Sequence, residues 1–564
     1  MSGGPASGGG ARGLFDALLG GGGADARTAI VFIRGGIESR FTRAGLAAAA
    51  AEVGRRVAEA LAGQPRGTIV AVLARSQEEQ VLHVLACLAA GRIPAVLTPR
   101  TPKLDLGWYL HSTLDVLHRI RPALVLTDLA EELFEAAGPS RMPPLARLRT
   151  AERLGGEAKD PTIVPEGTAF VQFSSGTTGA KKGVAVGLPA VLSQLAGYGE
   201  ALRLRATGRI EADRVMDGDA VVSWLPLYHD MGFVTAFLLP LWSGVFVSML
   251  DPLEWVADPG SYLREVSRRG ATLGWHPNFA FAHMARSARG VEDAALGSLR
   301  LLANCSEPVT HDAQERFRTR FAARGLRPDV FAGCYAMAET TFAVTHGHPG
   351  EEVRDRAGPA NGGPLRTRLP LVSVGRALPS VEIRAVSEGG TPCGEGIVGE
   401  LWIRAPFLSG GYVQNPGATS ASFRDGFYRT GDLGYRRGRD WYVLGRQGDM
   451  MILAGHNVFP EDVERIVGAA PGIKPGRTVA FAEFDEGLQT ERLVVLAEPA
   501  RDGTLPDLVA IRTRLQAELQ VAARIEMVPP GWLVKSSSGK PARRASAEKR
   551  ARAGEAEGGL SRTV

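Results

Sequence analysis

The sequence predicts an α/β fold: a large N-terminal domain of layered α/β subdomains with a small β-rich subdomain, then a small α+β C-terminal domain. Three observations carry that prediction. Apolar β-branched runs alternate with Ala- and Leu-rich helical runs through the first half, the pattern of parallel sheets with helices between their strands. Near Ser373 the texture changes to shorter strands. Past residues 445–449 a final unit of roughly 100 residues runs strand, helix, strand, strand, helix, enough chain for a core of its own.

Residues 44–63 are Ala-rich and read as a helix stopped at Gly63, with Pro65 just beyond. TIVAVLA (68–74) is a short β-branched run between breakers and reads as a buried strand. SQEEQVLHVLACLAAG follows as a helix and PAVL as a strand, and ALVLTD (123–128) repeats the theme. VEIRAV, GELWIRAP and RDWYVLGR are the strands of the β-rich subdomain. MILAG, PEDVERIVGAA, TVAFAEF and ERLVVLAEP, then a long helix and a basic tail, make the last unit.

At 564 residues the chain has room for two to four domains, and 45% hydrophobic with 22% charged residues is ordinary globular composition. The 65 basic and 60 acidic residues nearly cancel, so charge gives no argument for a nucleic-acid partner. Basic residues gather after Lys540 in KPARRASAEKRARA, which reads first as a solvated or frayed tail. Cys87, Cys305, Cys334 and Cys393 form no C-x-x-C pair, which argues against a disulfide framework or zinc site and suits a reducing compartment. The Gly-rich start, residues 1–13, lacks the apolar segment of a secretory signal and is expected to be disordered. AFLLPLWSGVFVSML, from Ala236, is too short to span a bilayer and is broken by Pro, Ser and Gly. A cytoplasmic protein without a membrane span is the expectation.

The sharpest chemical feature follows the strand at 169–173. Ser174, Ser175, Gly176, Thr177, Thr178 and Gly179 lead to Lys181, Lys182 and Gly183. Glycines let backbone N–H groups approach an anion, hydroxyls donate to it, and ammonium groups neutralise it. The combination suits a triphosphate, although no Gly-Lys-Ser/Thr triplet closes the loop as in a P-loop. A plain Ser/Gly surface loop is the bland alternative.

SSGTTGAKKG resembles the signature loop of the adenylate-forming superfamily, which includes acyl-CoA synthetases, fatty acyl-AMP ligases, peptide-synthetase adenylation domains and luciferases; Lys181 stands where that pattern often has Pro. Further segments are similar to the family in order, most of all to its fatty acyl-AMP ligase branch. SWLPLYHDMGF (223–233) resembles the second core segment, whose His229 would border the acyl pocket and help order the site; a histidine packed among Tyr228 and Phe233 is the alternative. LLANCSEPVTHDAQERF (301–317) implies that Ser306, Glu307 and Pro308 lie against adenine. The branch usually has Gly-Ala where this chain has Cys305-Ser306, bulk that either alters the nucleotide or acyl contact or only fills volume. GCYAMAETTFAVT (333–345) implies Tyr335 stacked on adenine, Glu339 on Mg²⁺ and Thr340 on the α-phosphate. Ala336 replaces a usual Gly, which either shortens the acyl channel or is a core Ala. YRTGDLGY (428–435) implies Asp432 on the ribose hydroxyls, alongside a turn role for Gly431-Asp432. In GRQGDMMILAGHNVFPEDVE (445–464), Arg446 would reach ribose or phosphates, and Gly448 stands at the usual hinge position. SSSGKPARR (536–544) resembles the segment whose lysine, Lys540, meets the α-phosphate and the attacking carboxylate.

The resemblance implies an N-terminal adenylation domain over 14–444, a hinge at 445–449, a mobile C-terminal domain over 450–550 carrying Lys540, and a disordered tail at 551–564. It implies an ATP- and Mg²⁺-dependent ligase that makes an acyl-AMP, releases pyrophosphate, and passes the acyl group to a phosphopantetheine thiol of a carrier protein. Free coenzyme A as acceptor is a close rival. A member that couples a short, aromatic or inorganic acid to an amine is a third reading, and a non-catalytic relative a fourth. The Gly-, Pro- and Arg-rich stretch 346–371 lies where the branch carries an insertion that restrains the C-terminal domain; a plain disordered loop is the equal alternative.

Overall fold

The structure, a computed structural model, describes residues 10–20, 27–100, 106–128, 133, 145–147, 153–155, 162, 164–165, 167–173, 182–307, 309–351, 353–360, 370–453, 456–485, 490–535 and 542–558. The α/β expectation holds. Among these residues two large, centrally parallel sheets form the N-terminal part. One runs through the strands Ile37–Thr42, Thr28–Arg34, Phe246–Leu250, Ala220–Ser223, Leu273–His276, Leu301–Asn304, Phe331–Ala336, Ala343–His346 and Arg376–Ala377, in that spatial order. The other runs Arg153–Gly155, Leu145–Arg147, Leu124–Thr127, Ile69–Leu73, Ile93–Val96, Thr168–Phe173 and Gly183–Gly187. Central strands such as Ile69–Leu73 and Leu273–His276 are buried along their whole length, as parallel strands covered on both faces must be. The helix Gln77–Ala89 begins where Ser76 accepts a bond from the Glu79 amide, with Glu78 and Glu79 in its first turn where the positive end of the helix dipole favours them.

The β-rich subdomain is a sheet of Glu382–Val386, Gly399–Arg404, Phe427–Arg437, Phe423–Arg424 and Asp440–Arg446. The last unit has a separate core. Val463 and Ile466 of the helix Pro460–Gly468 and Leu515 of the helix Leu508–Leu519 pack on Leu493 and Val495 of its three-stranded sheet.

Two terminal expectations change. A helix, Gly10–Leu19, begins inside the stretch expected to be disordered, with Leu14 and Leu18 fully buried. Its first glycine is there for closeness: a Cβ on Gly10 would lie 2.0 Å from the Gly167 carbonyl oxygen. The basic stretch after Lys540 is a helix, Arg543–Gly558, and not a frayed tail. Ser546 is fully buried, and Arg550 pairs with Glu526 and Glu483 at 2.7 Å each. Those acidic partners lie on distant strands, so the periodicity of the tail alone could not announce the docking. In the 346–371 stretch, Arg354–Asp355 pairs with Leu371–Val372; residues 361–369 lie outside the described ones.

One polar node fixes the floor of the first sheet. Asp219 has no exposed side-chain surface and precedes the strand Ala220–Ser223. It accepts from Arg300 Nη2 (2.7 Å) and Nε (2.8 Å), from the Arg205 amide (2.8 Å) and from Thr272 Oγ1 (2.8 Å). Arg300 also reaches the Leu202 carbonyl, just past the helix Leu188–Ala201. Three neighbouring strands and that helix are thus tied together at the strands' N-terminal ends. Burial alone would raise the Asp219 pKa, but the Arg300 guanidinium and the Arg205 amide outweigh it and hold the carboxyl below its ordinary value. The stabilisation is therefore present above the unfolded carboxylate range and lost as pH falls through the depressed native value. Asp219→Ala is expected to cost about 3–5 kcal/mol by leaving Arg300 without its counter-charge. Denaturant titration at neutral pH checks this, and the deficit should shrink under acid conditions.

Candidate active site

In open parallel sheets, ligands bind beyond the carboxyl ends of the strands. At that edge of the first sheet four consecutive loops follow Ser223, His276, Asn304 and Ala336, and they carry most of the segments singled out from the sequence. The hairpin of Thr168–Phe173 and Gly183–Gly187 brings Lys182 from the second sheet. Ser174, Ser175, Gly176, Thr177, Thr178 and Gly179, between those two strands in sequence, lie outside the described residues, as do Pro308 and Lys540.

Two clusters form. In the first, the Tyr335 hydroxyl donates to Asp432 Oδ2 at 2.5 Å, and Arg446 Nε pairs with Asp432 Oδ1 at 2.9 Å. Burial pushes the Asp432 carboxyl up, while Arg446 and the Tyr335 hydroxyl pull it down; Asp432 in turn raises Arg446. The strands Phe427–Arg437 and Asp440–Arg446 pair with Asp432 opposite Arg446, so the ladder itself sets this contact. Tyr335 packs against two buried clusters, one containing Met337 and Ile403 and the other Leu401 and Trp441.

In the second cluster, buried Glu339 accepts from the Tyr412 hydroxyl at Oε1 (2.9 Å), and Lys182 Nζ lies over the Tyr412 ring, 4.6 Å from its centroid. Residues 410–413 run beside the hairpin strand Gly183–Gly187: the Val413 amide donates to Gly183 and the Ala185 amide to Gly411. That pairing puts Tyr412 between the lysine and the carboxylate. Tyr412 was missed in the sequence, where Gly-Gly-Tyr before Asn-Pro signals a turn and nothing more.

The remaining residues divide. His229 opens a tight turn in which Gly232 is required: a Cβ there would lie 2.3 Å from the Pro226 carbonyl. Its ring lies 4.7 Å from Tyr228. Ser306, with φ +68°, lies two residues past the strand Leu301–Asn304 and touches Met231 of the His229 turn at 3.9 Å. Glu307, expected on adenine, accepts from the Phe279 amide at 2.9 Å and so holds the start of the helix Asn278–Ser287. Asn278 accepts from the Thr310 amide at 3.1 Å and from Asn304 Nδ2 at 3.0 Å, stapling the same loop. Thr340, expected on the α-phosphate, is fully buried, and its hydroxyl faces the Phe342 (2.8 Å) and Met337 (3.1 Å) carbonyls. It shapes the turn that carries Glu339. Ala336 is half-buried against the main core.

Among the described residues no group of three or more His, Cys, Asp and Glu side chains is placed to hold a metal by itself. A hard cation that shares one protein carboxylate with phosphate oxygens is a different case, and Glu339 fits it.

The family of AMP-binding enzymes matches residues 23–413, and the chain belongs to it. It is an ATP-dependent adenylate-forming ligase, which activates an acid as its acyl-AMP. Among its relatives, the Mycobacterium tuberculosis ligase Rv1013 is 30% identical over 505 residues, 85% of this chain and 90% of that one. The 4-hydroxyphenylalkanoate adenylyltransferase of the same organism is 27% identical over 535 residues, 86% of this chain and 82% of its own. A solved structure from a study of fatty acyl-adenylate ligases of E. coli and L. pneumophila superposes with a TM-score of 0.81 at 26% identity, covering 96% of this chain and 98% of that one. No helix among the described residues is long and apolar enough to cross a membrane.

Asp432→Ala removes the acceptor of both Tyr335 and Arg446. Hydrogen bonds to charged groups are worth about 1.5–3 kcal/mol, so the KM for ATP should rise about tenfold or more. An ATP titration of pyrophosphate release at saturating acid reads this, with thermal melting as the check on folding.

Proposed function

We propose that this enzyme activates a carboxylic acid at the ATP α-phosphate and passes the acyl group to the phosphopantetheine thiol of a carrier protein. The observation that carries the first step is the pair of clusters at one sheet edge: Tyr335–Asp432–Arg446, suited to a nucleoside, and Lys182–Tyr412–Glu339, suited to a polyphosphate. A substrate carboxylate oxygen attacks the α-phosphorus, the bond to the bridging oxygen breaks, and pyrophosphate leaves with its electrons. In such transfers positioning and charge stabilisation do most of the work. Tyr335 flanks adenine and Asp432 accepts from the ribose, with Arg446 neutralising the neighbouring oxygens. Lys182 and the 174–179 hydroxyls and amides take the leaving phosphates. Glu339 would hold Mg²⁺, which would supply charge neutralisation for the leaving phosphates. His229 borders the acid, and Lys540 completes the charge balance at the α-phosphate.

In the second step the thiol sulfur attacks the acyl carbon, AMP leaves, and the thiol proton goes to solvent. We assign the hinge to residues 445–449 and the moving domain to 450–550. Support comes from the two ends of that short segment: Arg446 pairs back to Asp432, while Asp449 pairs forward to Arg543 at 3.2 Å. A solved structure of the same fold, McyG A-PCP complexed with phenylalanyl-adenylate, superposes with a TM-score of 0.79 at 21% identity.

Acid-dependent pyrophosphate release tests the first step, and its absence with every acid overturns it. Incubation with coenzyme A or with a phosphopantetheinylated carrier protein then separates the acceptors, and thioester on coenzyme A alone rejects the carrier reading. Lys540→Ala should lower adenylate formation about 10²–10³-fold while nucleotide binding survives, the loss usual for a group that meets developing charge. Single-turnover formation of acyl-AMP measures it.

A further inference from the structure

Behind the adenylation edge the interior is filled in a particular way. Cys305 follows the strand Leu301–Asn304, and Cys334 lies on the neighbouring strand Phe331–Ala336. The register of these strands, with Asn304 opposite Gly333, brings Cys305 beside Cys334, and the Tyr198 hydroxyl reaches in from the helix Leu188–Ala201. Trp275 Nε1 donates to the same hydroxyl at 2.8 Å. The rings of Phe342 and His346 each lie 5.5 Å from that of Tyr198, both edge-on. Cys334 and His346 are direct partners across two strands, so the thiol and the imidazole share one sheet face. Tyr198, Cys305 and Phe342 are fully buried, Trp275 and Cys334 are 2% exposed, and His346 is 6% exposed.

This wall stands directly behind the residues that face the reaction. Ser306 and Tyr335 are the chain neighbours of Cys305 and Cys334, and Ala336 follows. The contact of Ser306 with Met231 closes the His229 side. An acid whose carboxylate meets the phosphate between these groups, and whose tail runs inward toward the helix Leu188–Ala201, comes up against this wall. There it meets close-packed thiols and rings, and interiors of this density do not yield to extra methylenes without cost.

We propose that this wall closes the acid site a short distance behind the carboxylate, so that the enzyme takes a compact acid, short-chain or single-ring, and that Cys305 sets the depth. The inference rests on the adenylation reading above and narrows its substrate class. One methylene in an apolar pocket is worth about 10–200-fold in kcat/KM. Replacing the Cys305 side chain by hydrogen removes one carbon and one sulfur, space for a longer tail.

The test uses the full chain with ATP, Mg²⁺ and the saturated acids from acetate to palmitate, together with benzoate and phenylpropanoate, read by pyrophosphate release. The wild type should work on the short or single-ring members and fall by at least about tenfold at the first acid too long for the wall. Cys305→Gly should move that limit to longer acids, with a gain of about tenfold in kcat/KM for the first acid the wild type rejects. Cys305→Ala, which keeps the Cβ, should move it less, and melting curves show whether both variants are folded. A wild type that prefers palmitate overturns the inference while leaving adenylation intact. So does an unchanged length profile in two folded variants. Absence of acid-dependent release with every acid overturns the adenylation reading and this inference with it.

Discussion

The contact on which the arrangement turns is the carboxylate of Asp432, held between the Tyr335 hydroxyl and the Arg446 guanidinium. Each of the three comes from a different place. Tyr335 lies near the end of a strand of the large sheet, Asp432 lies mid-strand in the β-rich subdomain, and Arg446 ends that subdomain's last strand, inside the proposed hinge. A buried carboxylate is costly unless its charge is matched and its oxygens are bonded, so the pair fixes how two subdomains meet. The same groups offer the flat ring, the acceptor and the cation that a nucleoside monophosphate needs. Structure and chemistry rest on one set of atoms here.

Arg543 repeats this logic on the far side of the hinge. It forks onto both oxygens of Glu464 at 2.8 Å, reaches Glu461 at 2.8 Å and touches Asp449 at 3.2 Å. Burial pushes the Glu464 and Asp449 carboxyls up, and the guanidinium opposes it. A bidentate Arg–carboxylate pair constrains direction as well as distance. Arg543 opens the helix Arg543–Gly558 three residues after Lys540, so the residue next to the lysine segment is anchored to the hinge itself. In the proposed rotation at residues 445–449 the start of that helix would be carried along, and we read this as the means by which hinge and lysine move together.

The fold was legible because parallel strands buried on both faces must be continuous apolar runs, and Ile69–Leu73 or Leu301–Asn304 can hardly be anything else. Residues whose types already imply a chemistry, such as Glu339, Asp432 and Arg446, could be singled out by their motifs and do gather at one edge. What stayed illegible depends on contacts far apart in sequence. Tyr412 acquires its place from pairing with a hairpin more than 200 residues earlier. Glu307 and Thr340 were assigned to nucleotide by their neighbours in the chain. Beside that expectation the structure gives each a structural bond, from the Phe279 amide to Glu307 and from Thr340 to the Phe342 carbonyl, which no local pattern reveals. The terminal helices escaped because Gly- and Arg-rich composition reads as solvated chain until a docking surface is known.

The edge of the large sheet also couples two properties that look separable. Cys305 belongs to the acid wall and Ser306 to the loop on the nucleotide side, yet they are consecutive, and Ser306 takes the left-handed conformation that turns the chain between the two. A non-glycine residue at positive φ is held there by its surroundings. The Cys305 amide bonds the His276 carbonyl, and Asn304 bonds Asn278, so the strand end cannot slide to relieve crowding on either side. A change of volume at residue 305 is therefore absorbed by the acid space or passed to the nucleotide loop. On the proposal of an acid wall, a small thiol on a pinned strand would let acid depth change by one side chain, and the pinning bonds decide how much of that change reaches the nucleotide loop.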